Sequence, residues 1–156
     1  MKRKSQKRRI GDIVKILLGE GTHTYARVLP DASFAFYDSR GTEEMEIDRI
    51  VDLPILFFAA VMDSAIKTGR WTVVGHISRD DGLRAPPKFI QDPLDKNRFR
   101  IYEDGQMRPA TRQECLGLEC AAVWEPEHVE GRLRDHYAGR KNEILASLGM
   151  TSLRPN

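Results

Sequence analysis

GDIVKILLGEGTHTYARVLPDASFAFYD, residues 11–38, carries the reading that decides the fold. Ile13, Lys15 and Leu17 alternate with Val14, Ile16 and Leu18, and the β-branched content favours an extended chain over a helix. Gly19-Glu20-Gly21 makes a turn, residues 24–29 a second strand, Pro30-Asp31 another turn and residues 33–37 a third strand, which together read as a β-meander. The GEG triplet has neither the lysine nor the following helix that a phosphate cradle needs, so both glycines read as hairpin residues.

Further along, residues 45–51 are too short a pattern to assign. Residues 55–62 are apolar enough for a strand covered on both faces, with residues 71–77 expected to pair with it across 63–70. Pro86-Pro87 interrupts regular structure, residues 89–90 and 99–102 read as short extended pieces, and Asp104-Gly105 as a hairpin turn. At Thr111 the periodicity changes. Thr111 and Glu114 form a capping-box pattern, followed by Cys115, Leu118 and Ala122 at helical spacing. A second helix starts at Pro126, flanked by Glu125 and Glu127 near the positive end of its dipole, and carries Val129, Leu133, His136 and Tyr137 on one face until Gly139. Asn142 is placed to cap a last short helix through Leu148. Strands then helices predict an α+β fold: a β-rich N-terminal two thirds, as a meander or partly open barrel, with two or three C-terminal helices.

At 156 residues, 40% hydrophobic and 31% charged, the chain is expected to form a single α+β domain over 10–156 behind a disordered basic tail over 1–9. Lys2, Arg3, Lys4, Lys7, Arg8 and Arg9 are six of the 25 basic residues, and without them the formal charge falls from +2 to −4. No aromatic residue is interleaved with the tail, which gives no support to a base-stacking nucleic-acid site. No apolar run approaches the ~20 residues of a membrane span, and the basic start is followed by polar residues instead of an apolar signal core. The expected location is therefore the cytoplasm. Cys115 and Cys120 read as reduced thiols unable to pair with each other.

Polar chemistry concentrates in AAVWEPEHVEGRLRDHY, residues 121–137. His128 and His136 are eight residues apart, roughly 12 Å along a helix, too far to share one ion; His23 and His76 are possible additional ligands from the sheet, but no spacing links them. No cofactor is implied, although a divalent metal is not excluded. His136 is the candidate general base, tuned by Asp135 or by Arg132 one turn earlier, with His128 as a second candidate. No serine sits in a nucleophile elbow and neither cysteine has a local histidine. Trp71 and Trp124 read first as core residues and otherwise as walls of an aromatic pocket.

The chain resembles the immunity-26 family over nearly its full length. The resemblance rests on GDIVKI at 11–16, YARVLPD at 25–31, FAFYD at 34–38, GRW at 69–71, FIQDPL at 89–94, VWEPEHVE at 123–130 and RDHYAGR at 134–140. Most members are inferred to bind and neutralise toxins of bacterial competition, and the family name also covers a small coroxon-hydrolysing phosphotriesterase. The resemblance thus implies one of two functions. The first expectation is a phosphotriesterase in which water attacks an aryl dialkyl phosphate, an organophosphate substrate. For that chemistry His136, Asp135 and His128 are the candidates for proton transfer, Arg132 and Arg134 for the phosphoryl oxygen, and Trp124, Tyr137 and Trp71 for the aromatic group. The alternative is an immunity protein that binds a cognate toxin domain without catalysis. No membrane partner is expected.

Overall fold

A computed structural model describes residues 5–78 and 81–149. In chain order the elements are β1 (Asp12–Gly19), β2 (Thr22–Val28), β3 (Ser33–Tyr37), α1 (Ile47–Ile50), β4 (Ile55–Val61), α2 (Ser64–Lys67) and β5 (Thr72–His76). They continue as β6 (Lys88–Gln91), β7 (Phe99–Glu103), β8 (Gln106–Ala110), α3 (Arg112–Cys115), β9 (Val123–Trp124), α4 (Pro126–Tyr137) and α5 (Glu143–Ser147). The fold is α+β, with nine strands in two sheets among the described residues and neither sheet closed into a barrel. Backbone proximity divides the chain into two compact units, 1–85 with 123–140, and 86–122 with 141–156.

The first unit is built on a six-stranded sheet in the order β5-β1-β2-β3-β4-β9. The meander read from residues 11–38 is present: β1 to β4 pair antiparallel in succession. Both faces are covered, which is why these strands read as nearly continuous apolar runs; every residue of β3 is buried. Alternation sends Tyr37 to one side, where Ile13, Tyr25 and Ile50 form a cluster capped by Met45, Ile47, Val51 and Leu53. Phe34 and Phe36 point the other way and meet the edge of Trp71 at 5.4 and 5.8 Å, and Phe57 stacks on Phe36 at 4.7 Å. Such pairs add ~0.5–1.5 kcal/mol each beyond the area they bury.

The expected pairing of residues 71–77 with 55–62 does not occur. β5 pairs with β1, because β3 and β9 occupy the two edges of β4, and α2 with the Gly69 turn (φ +74) carries the chain to the free edge of β1. Residues 45–51 fold into the single turn of α1. Gly11 ties the ends of three strands: its N–H donates to Val28 O at 2.9 Å and its carbonyl accepts from Ile77 N at 2.8 Å. Its φ of +93 and the 2.4 Å that would separate a Cβ from Ile77 O admit only glycine. Residues 1–4 of the expected basic tail lie outside the described residues. Of those that follow, Gln6 bonds Trp71 O and Val73 N, and Arg8 bonds the carbonyls of Leu29 and Ser33.

α4 begins with Pro126 at its first turn and seats Val129 and Leu133, both fully buried. Its polar anchor is Glu130, only 6% exposed, which accepts from Arg70 Nε at 2.6 Å, Arg70 Nη2 at 2.9 Å and Trp71 Nε1 at 3.0 Å. Across the sheet, buried Arg27 forks onto Asp81 at 2.7 and 2.8 Å.

The second unit has the antiparallel sheet β6-β7-β8, with Asp104 (φ +50) and Gly105 (φ +77) forming the turn read from the sequence. Phe89, Phe99, Ile101 and Cys115 form its core. The capping box is formed in both directions, Glu114 N to Thr111 Oγ1 at 3.2 Å and Thr111 N to Glu114 Oε1 at 3.0 Å. The helix it starts is one turn long, however, because Leu116 is extended and Gly117 adopts φ +82, so Leu118 and Ala122 are not helical. Asn142 caps α5 through Leu145 N, and both cysteines are free thiols raised in pKa by burial.

Two outcomes are expected. Glu130→Ala leaves the Arg70 guanidinium and Trp71 N–H without their acceptor and should lower the unfolding free energy by about 3–5 kcal/mol in urea titrations, with Glu130→Gln losing less. Hydrogen bonding by Arg27 holds the Asp81 carboxyl down at about 2, against an ordinary 3.8. A depressed folded-state value contributes stability that is full above the ordinary carboxylate range and is lost as pH falls through the folded value. Between about pH 4 and about pH 2, the denaturation midpoint of the wild type should therefore fall more steeply than that of Asp81→Asn.

Candidate functional site

The residues picked out on α4 separate according to the helix face on which they lie. Arg132 is buried, its guanidinium 3.6 Å from the ring centre of Phe57 and 5.2 Å from that of Trp124. Trp124 is 5% exposed and Trp71 fully buried, the latter hydrogen-bonded to Glu130. Arg132, Trp124 and Trp71 are thus part of the packed core. His128 and His136 are exposed; His128 stands 3.9 Å from Glu125, and the His136 ring meets Tyr137 edge-on at 5.2 Å. Of the four residues expected on one face of α4, Val129 and Leu133 are buried and Tyr137 is half-buried, while His136 is exposed. Asp135 pairs with Arg140 at 3.3 Å.

Arg134 and Tyr137 of the expected set share a hollow. It is about 330 Å³, lined also by Arg40, Arg140, Gly19 and Glu20. Tyr137 holds it to the sheet by accepting from Ser39 N at 3.2 Å, with Arg40 at 5.7 Å from its ring; burial, aided by the charge of Asp38, raises its phenol pKa. The arginines lie at the C-terminal end of α4, where the carbonyls carry the negative end of the dipole, and Glu20 and Asp135 stand beside them. Much of the positive charge is therefore answered within the chain.

A larger hollow, about 520 Å³, lies where α1 meets the end of β5 and was not expected from the sequence. Ile47, Val51 and Ile77 line its apolar part; Asp48, Asp52 and His76 supply the polar groups. His76 Nδ1 is 2.8 Å from buried Asp12, which also accepts from Arg9 Nε at 3.1 Å, so the imidazole is held in one orientation. Gly75 makes the close packing possible, because a Cβ there would lie 2.3 Å from Ile47 Cδ1. The sequence signal for this face was the run of Glu43, Glu44, Glu46, Asp48 and Asp52, all exposed, with only Arg49 among them.

The four histidines do not gather. His23 is buried in the sheet and bonded to Tyr25 Oη at 3.0 Å, where burial first and then the charge of Lys15 lower its pKa. Among the described residues no three metal-binding side chains converge. No helix there is long and apolar enough to cross a membrane.

No curated protein and no solved structure matches the chain. A family model does: immunity protein 26, over residues 9–100. That match overturns the expectation of a phosphotriesterase, since it assigns β1 to β6 and the α1 segment to a family of immunity proteins and leaves α4, which carries most of the expected catalytic set, outside the matched residues. The family match from β1 through β6 to the start of β7, more than half of the chain, establishes that the chain belongs to the immunity protein 26 family.

Proposed function

We propose that this protein neutralises a cognate bacterial competition toxin by binding it, without turnover. The observation that carries this reading is the family match over 9–100. The physical character of the molecule supports it. A neutralising protein must present a stiff surface, because every side chain ordered on association costs about 0.5–1.5 kcal/mol of affinity. A sheet covered on both faces, with α4 pinned through Glu130, offers such stiffness. Holding a toxin at low cellular concentration calls for a Kd in the nanomolar range, about −12 kcal/mol. An interface of about 800 Å² on this side is of the ordinary size for such affinity.

The partner expected on this reading is the last domain of a large secreted toxin encoded immediately upstream. Co-expression of that domain with this protein should restore growth, and the two should elute as one complex from a sizing column. His136→Ala should protect as well as the wild type, since its imidazole has no part in a binding function. Failure of the wild-type protein both to protect and to co-elute would overturn the proposal.

A further inference from the structure

The toxin-binding reading leaves open where the partner sits, and the hollow between α1 and the end of β5 answers that question. We propose that this face is the docking surface, and that its occupant is a basic patch of the toxin domain whose central arginine or lysine enters the hollow. The inference rests on the function proposed above.

Three features of the face converge. First, its floor is apolar and fixed. Ile47 and Val51 pack on the buried cluster of Ile13, Tyr25, Tyr37 and Ile50, and Gly75 lets Ile47 lie directly on β5, so the cavity exists before any partner arrives. A preformed cavity avoids the ordering cost of making one. Second, the face lies at a sheet edge, since among the described residues no strand pairs with the outer side of β5. Gln6 caps that edge only at Trp71 and Val73, away from the hollow.

Third, the charge selects the occupant. Among the described residues neither Asp48 nor Asp52 has an ion-pair partner, while Glu44 is the one acid of the run held by a lysine, Lys15 at 3.0 Å. Acids left unpaired beside an apolar floor match the two parts of a long cationic side chain. Its aliphatic stem lies along Ile47 and Val51, and its head reaches the carboxylates at the rim. His76, oriented by Asp12, also lines the hollow. A neutral or acidic partner would leave the carboxylates of Asp48 and Asp52 to be desolvated without compensation, which disfavours it. The arginine hollow at the end of α4 is a weaker surface, because its charges are already opposed by Glu20, Asp135 and the helix dipole.

The test is binding of the full chain to the same upstream-encoded toxin domain, measured by surface plasmon resonance at about 50 mM and about 200 mM salt. Wild-type association should slow with salt, and Asp48→Lys with Asp52→Lys should weaken binding at least about a hundredfold, mainly through the on-rate. Glu103→Lys with Glu143→Lys makes the same change in net charge elsewhere and should alter affinity by less than about threefold. Unfolding curves check that each variant is native; if the reversal fails to fold, Asp48→Asn with Asp52→Asn replaces it and should weaken binding about tenfold. Strong wild-type binding that survives the change at residues 48 and 52, or that is lost equally in the control, overturns this surface while leaving the immunity function standing. Absence of any wild-type binding overturns both.

Discussion

Glu130 is the constraint on which the first unit depends. A carboxylate that is 6% exposed is tolerated in a protein interior only if its oxygens are met by donors, and here three donors come from two consecutive residues, Arg70 and Trp71, sixty positions earlier. The same contact does two jobs. It fixes α4 along its length, so that Val129 and Leu133 stay seated, and it orients the indole that closes the aromatic cluster of Phe34, Phe36 and Phe57. Loss of the carboxylate would therefore disturb the helix and the sheet face together.

With one face of the sheet closed by aromatic rings and α4, the other is closed by the segment around α1. The two coverings differ in consequence. α4 turns its arginine and tryptophan partners inward, where Arg132 lies over Phe57 and Trp124, and leaves its histidines apart on the outside. The α1 segment is thin: one turn of helix supplies the apolar contacts inward and presents its acids outward beside an open hollow. α4 seats Val129 and Leu133 in the core and leaves His128 and His136 exposed, whereas the short α1 segment leaves Asp48 and Asp52 exposed beside the hollow.

Where local physics decides, the reading from sequence holds. The meander follows from alternation and turn residues, the Asp104-Gly105 hairpin from backbone conformations few residues adopt, and the caps at Thr111 and Asn142 from side chains that satisfy nearby N–H groups. Where an element's fate depends on which edge is free, it does not. Strand 72–76 is recognisable as a strand, yet its partner is β1 because β4 has no vacant edge, a fact about six strands at once. The helix expected beyond Cys115 ends early for a similar reason: Phe89 takes Cys120 as a bridge partner, which holds residues 119–121 extended.

The amino-acid sequence by itself determined the α+β class, the N-terminal meander, the position of α4 and the resemblance to the immunity family, because each rests on periodicity, turn chemistry or contiguous motifs. It also contained the run of acids from Glu43 to Asp52, without saying that Asp48 and Asp52 border a hollow. Only the tertiary structure decided that Arg70 and Trp71 meet Glu130, that Asp12 holds His76 across 64 residues, and that α1 and β5 together frame an apolar floor rimmed with carboxylates. The reason is that these contacts join residues far apart in the chain, whose side-chain types predict that each will need a partner but not which partner the folded sheet will bring to it.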